Sequence, residues 1–145
     1  MVDVKTSIEI LCPLDRVSQF ASNPNNVTKW YVNIKSVEWK TPEPLSVGSQ
    51  IAFIAHFLGK KLSYTYQVME MTANTFVMKT AEGPFPMETT YMWDKINDNT
   101  TRMTLRNCGQ PSGFSKLFAP FMSIMMRKAN QKDLEKLKSI LEINN

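Results

Sequence analysis

The sequence predicts an α+β domain in which a strongly bent antiparallel sheet of about seven strands is closed by one long C-terminal helix. Three observations lead there. Apolar and polar residues alternate at period two in a series of short segments, the pattern of half-buried strands. From residue 34 onward these segments are joined by brief, turn-rich connections, as in an antiparallel meander. The chain has no strand-helix rhythm, internal repeat or low-complexity tract, which sets aside parallel α/β and solenoid folds.

The elements follow in order. Val4 to Leu11 alternates Val4, Thr6, Ile8 and Ile10 against Lys5, Ser7 and Glu9, a first strand. "PLDRVSQFAS" places Leu14, Val17, Phe20 and Ala21 on one side of a short helix whose first turn holds Pro13, where the missing N–H costs nothing. "NPNNVTKWY" offers Asn23 as a cap and Pro24 as a first-turn residue for a second short helix ending near Tyr31. Ile34 to Lys40 is the next strand, and "TPEPLSVGS" is a loop because two prolines and a glycine exclude a regular element.

Ser49 to Leu58 follows, then a tight "GKK" connection to Leu62 through Met71, where Leu62, Tyr64, Tyr66 and Val68 share one face. Thr75 to Thr80, Met87 to Ile96 and Thr101 to Cys108 complete the set, separated by "TAN", "EGPFP" and "NDNT".

The closing stretch from Gly113 to Glu142 has two unlike halves. The first is apolar on nearly every side. The second repeats Leu134, Leu137 and Leu141 at spacings of three and four, with lysines and glutamates opposite. Pro120 predicts a kink or a fresh start, since it lacks a donor and disfavours helical geometry at Ala119. The apolar half cannot span a membrane. From Phe114 to Met126 it would cover about 20 Å, against a hydrocarbon core of about 30 Å.

With no signal-peptide pattern at "MVDVKTSIEI", the expectation is a soluble, cytoplasmic, single domain covering residues 1–145. Two cysteines, Cys12 and Cys108, lack zinc spacing and read as free thiols. The formal charge of +4 is dispersed, as in "NQKDLEKLK", so no nucleic-acid surface is expected. Ten methionines fit an adaptable apolar interior.

The segments "IEILCPLDRVSQFASNPNNVTKWYVNIKSVEW", "VGSQIAFIAHFLG", "TTYMWDKINDNTTRMTL" and the closing "DLEKLKSILE", in this order, resemble the START-like superfamily with the helix-grip fold. The likeness is to its polyketide cyclase/dehydrase and lipid-transport branch, and it covers essentially the whole chain. It implies a seven-stranded curved sheet gripping the last helix, with an apolar cavity between them for lipids, polyketides or other hydrophobic molecules. The apolar half of that helix would then face the concave sheet and the cavity mouth, and the second half would lie on the sheet's outer margin. The same topology, pairing first and last strands antiparallel, would hold Cys12 and Cys108 far beyond disulfide reach.

No phosphate-binding glycine loop, nucleophile elbow or histidine pair is present, since His56 is the only histidine. Alternation aims either His56 or Phe53 and Phe57 into the cavity; we favour the phenylalanines. Tyr64, Tyr66, Tyr91 and Trp93 are candidates for orienting a ligand's polar group, and Trp30 would sit near the mouth. Met78, Met103, Phe118, Met122 and Met125 complete the expected ligand-binding set. Glu82 and Glu88 flank "GPFP" and read as a solvated pair.

The leading expectation is a carrier or sensor of a small hydrophobic molecule, with no cofactor, no metal and no identified protein partner. One alternative is a cyclase or dehydratase using His56 or Tyr66 as proton donor or acceptor. Another is a protein-interaction module resembling the Hsp90-cochaperone branch, which would need a filled interior and an exposed apolar patch.

Overall fold

The computed structural model describes residues 2–57, 59–83, 86–109 and 119–143. It opens with β1 (Val2–Ile10), then α1 (Leu14–Ser22), a short 3-10 turn (Pro24–Asn26) and α2 (Val27–Trp30). Six strands follow: β2 (Ile34–Trp39), β3 (Gln50–Phe57), β4 (Lys60–Met71), β5 (Thr75–Glu82), β6 (Met87–Asn97) and β7 (Thr100–Gly109). The last element is α3 (Ala119–Ile143). The α+β class and the order of elements are those read from the sequence, with strand ends displaced by a residue or two; the part of the closing stretch before Ala119 lies outside the described residues. Pro120 is the second described residue of α3.

The seven strands form a single sheet in the order β1-β7-β6-β5-β4-β3-β2, and every pair is antiparallel. Local chemistry makes the hairpins. Gly59 supplies the positive φ of 75° between β3 and β4, and Thr72 Oγ1 accepts from the Thr75 N–H to close the next turn. Asn97 Oδ1 does the same for Asn99 between β6 and β7. At the far end of β7, Gly109 is obligatory, because a Cβ there would lie 2.3 Å from the carbonyl oxygen of Pro86. At the 3-10 turn that precedes α2, the Asn23 side chain accepts from the Asn25 N–H, so the cap falls one element earlier than a single helix up to Tyr31 would have it.

The first strand pairs with the last, which leaves β1 and β2 at the two edges of the sheet. In β1, Val2, Val4 and Ile10 are buried while Asp3, Lys5 and Glu9 face water. Asp3 pairs with Cys108 and Ile10 with Thr101, so the two thiols sit at opposite ends of the pairing, about 20–25 Å apart at strand rise. Both are free. α3 runs along the same strand, where Arg127 and Lys138 donate to the carbonyls of Lys5 and Glu9 at 3.0 and 2.8 Å.

One expectation is overturned. Leu134, Leu137 and Leu141 do not lie on an outer margin; they are buried in the main core with Ile10, Trp30, Trp93, Met103 and Leu105. The three side chains align on one side of the helix at spacings of three and four, so they can be sealed together against the sheet. The preceding, more apolar half buries Met122 against Val2 and Val4 but leaves Phe121 and Ile124 at 50% and 55% exposure. No helix among the described residues is long and apolar enough to cross a membrane.

Candidate functional site

Between α3 and the concave face of the sheet the side chains stop short of meeting, leaving a half-enclosed cavity of about 140 Å³. Strand periodicity supplies its walls. Phe53 and Ala55 of β3, Leu62, Tyr64 and Tyr66 of β4, Met78 and Thr80 of β5, and Met87, Thr89 and Tyr91 of β6 all project from alternate positions onto this side. Asn107 of β7 joins them. Val27, Tyr31, Asn33 and Ile34 close one side. The roof is one face of α3, where Met122, Met126, Ala129, Asn130 and Asp133 recur at helical spacing.

The surface is mainly apolar, with its polar atoms tied into short chains. Tyr31 and Tyr91 share a hydrogen bond of 2.7 Å between their hydroxyls. Thr89 donates to Asn107 Oδ1 at 2.6 Å, so the 3.0 Å contact between Tyr66 and Thr89 must carry the tyrosine's proton. The rings pack closely: Tyr64 lies edge to face with Tyr66 at 5.1 Å and tilted against Phe53 at 5.6 Å, and Trp30 lies edge to face with Tyr91 at 5.6 Å. Burial raises the pKa of Tyr31, Tyr64, Tyr66 and Tyr91, so all four are neutral phenols at ordinary pH.

Asp133 is the charged group of this wall. Only 2% exposed, it accepts the Val32 N–H at 2.9 Å, which ties α3 to the segment after α2. Burial pushes its carboxyl up to about 6, and that one hydrogen bond offsets the rise only in part. One turn earlier, buried Asn130 has an Nδ2 without a partner among the described residues. The indole nitrogens of Trp30 and Trp93 are likewise unpartnered there. No three His, Cys, Asp or Glu side chains among the described residues gather closely enough to hold a metal ion.

Of the residues singled out from the sequence, Phe53, Tyr64, Tyr66, Met78, Tyr91 and Met122 line the cavity together. Trp30, Trp93 and Met103 instead fill the adjoining core, and Met125 is partly buried beside the lining residue Met126. Phe118 and the side chain of Phe57 lie outside the described residues. His56 faces water on the side of β3 opposite Phe53, so the preference for phenylalanine inside agrees with the fold at Phe53, and His56 has no access to the cavity as a proton donor. Glu82 and Glu88 are exposed.

Tyr31, Asn130 and Asp133 escaped the sequence reading. The signal for Asp133 was present, since Met122, Met126, Asn130 and Asp133 share the helix face of Leu137. It was masked by the surrounding charge pattern "NQKDLEKLK", which looks like a solvated surface.

The profile described as polyketide cyclase/dehydrase and lipid transport matches residues 1–142. No curated protein matches the sequence. Among solved structures, a START superfamily protein from Mycobacterium smegmatis aligns with a TM-score of 0.86 at 12% identity, covering 99% of both chains. A protein from Thermus thermophilus aligns at 0.85 and 18% identity, again over 99% of both. The Zhui aromatase/cyclase from a Streptomyces species aligns at 0.82 and 12% identity, covering 97% of this chain and 93% of that one. At such identities these likenesses establish the fold.

Proposed function

The chain belongs to the polyketide cyclase/dehydrase and lipid-transport family, and from that premise we propose that it binds a small hydrophobic molecule as a carrier or sensor. The observation that carries this reading is the half-enclosed cavity of about 140 Å³ with its apolar and aromatic walls. An apolar cavity of about 150 Å³ admits one benzene, so this one takes a ring or a short alkyl segment and lets the remainder of a larger ligand emerge. Burying six to ten ligand carbons contributes about 5–8 kcal/mol before association costs. Micromolar binding, near 8 kcal/mol net, therefore needs help from the polar groups.

The test is to extract the purified protein with organic solvent for mass spectrometry, and to titrate it with a panel of lipids and aromatics. We expect a co-purified hydrophobe or saturable binding that perturbs tryptophan fluorescence, because Trp30 contacts the cavity tyrosines Tyr31 and Tyr91 at 4.3 and 5.6 Å between ring centroids. An empty extract together with no saturation across the panel would remove the reading.

A second reading is favoured by one observation: Asp133, with a carboxyl at about 6, shares the cavity with four phenols. A carboxylate in that range suits general acid-base work of the cyclase or dehydratase kind. It predicts that Asp133→Asn or Tyr66→Phe abolishes turnover of a polyketide-like substrate while affinity stays nearly intact. Equal losses in both quantities favour simple binding.

A further inference from the structure

Two buried polar residues on one turn of α3, Asp133 and Asn130, are among those that line the cavity, and each has hydrogen-bonding capacity left unmet among the described residues. Asp133 uses Oδ1 for the Val32 N–H, and no hydrogen bond is recorded for Oδ2 among the described residues. Asn130 offers an Nδ2 with no acceptor. Among the described lining residues Asp133 carries the only charge, and no lysine, arginine or histidine stands against it. A buried carboxylate is normally matched by a cation or by several donors, and here one backbone N–H serves.

Resting on the cavity reading above, we propose that this end of the cavity receives the protonated nitrogen of a small hydrophobic amine, paired with Asp133. An ammonium group cancels the buried charge and adds to its hydrogen bond an ionic attraction that a neutral hydroxyl donating to the same carboxylate lacks. The tyrosine rings of the same wall favour a cation over any other charge type. A carboxylate ligand meets like charge at close range.

The pairing depends on pH in a definite direction. The titratable groups that face Asp133 from the packed elements are Tyr31 after α2, Tyr64 of β4 and Tyr91 of β6, and all three stay neutral through the range in which the carboxyl ionises. On α3 itself the neighbouring Lys132, Glu135 and Lys136 face water. Amine affinity therefore rises as pH climbs through about 6, the value of the Asp133 carboxyl. A simple alkylamine, like the lysine side chain, remains protonated throughout.

The test titrates the full chain with phenylbutylamine, phenylbutanol and phenylbutyrate, which differ only in the head group, at about pH 7.5 and about pH 5. We expect the amine to bind about tenfold or more tightly than the alcohol at the higher pH, with the carboxylate weakest. That advantage should shrink to a few-fold at the lower pH. Asp133→Asn keeps an oxygen for the Val32 N–H, and it should erase the amine's advantage over the alcohol at the higher pH. Should the variant fold poorly, the wild-type pH dependence decides alone. Alcohol or carboxylate binding as tightly as amine, or an amine preference indifferent to pH or retained in Asp133→Asn, overturns the proposal and leaves the cavity reading standing. If none of the three binds, the cavity reading falls and takes the amine with it.

Discussion

Along α3, the turns carrying Leu134, Leu137 and Leu141 are sealed in the core, while the turn carrying Phe121 and Ile124 leaves both half in water. Yet the second of these regions is the more apolar in sequence. Burial follows the alignment of apolar residues on one face and the presence of a surface to receive it; total hydrophobicity does not decide it. The sealed half holds the helix on the sheet, and between the two halves Asn130 and Asp133 turn toward a space that no side chain fills. Anchoring and the lining of the cavity are thus divided along one helix.

Leu137→Ala should attack the anchoring half directly. It opens a void in the packed core and is expected to cost about 2–5 kcal/mol, read as a lower midpoint in chemical denaturation. A loss below about 1 kcal/mol would mean that this half is not the anchor.

Asp133→Asn should work in the opposite direction and only where the carboxyl is ionised. Its folded value of about 6 stands above the ordinary 3.8, so between these values the folded state binds more protons than the unfolded one. The group's contribution is thus fully present below about pH 4 and is lost as pH rises through about 6. The stability of Asp133→Asn relative to wild type should consequently improve by up to about 3 kcal/mol between pH 4 and pH 7. Parallel stability-pH curves for the two proteins would show that the carboxyl is not strained by burial.

Met126→Ala trims the roof of the cavity at a partly buried position. It should change stability by less than about 1 kcal/mol while weakening binding of any cavity ligand by a few-fold, a split that unfolding and titration together resolve. At the other extreme, Phe121→Ser and Ile124→Ser should each stay within about 0.5 kcal/mol of wild type, as surface changes do. A large loss at either would show that these side chains are covered in solution, and analytical ultracentrifugation would then tell whether a second copy covers them.

Much of the fold was legible because each strand announces its buried face locally. Val2 and Val4, Phe53 and Ala55, Tyr64 and Tyr66 repeat at period two whatever the rest of the chain does. Turn chemistry at Asn23, Thr72 and Asn97 marked the boundaries in the same local way. The site was legible in part, since Tyr64, Tyr66 and Tyr91 stand on strand faces that had to point inward. The pairing of Tyr31 with Tyr91 was not, because it joins residues sixty positions apart and no spacing rule relates them.

By itself, then, the sequence determined which residues form strands and helices, and which side of each seeks cover, because those outcomes depend on dihedral preference and periodicity over a few residues. The tertiary structure alone decided which apolar faces found a partner. It set Trp30, Trp93 and Met103 in solid core, and it held Asp133 in the roof of the cavity, where its charge is costly. Those outcomes depend on the curvature of a seven-stranded sheet and on where α3 crosses it. The distances involved are set by every strand at once and are written in no single stretch of the chain.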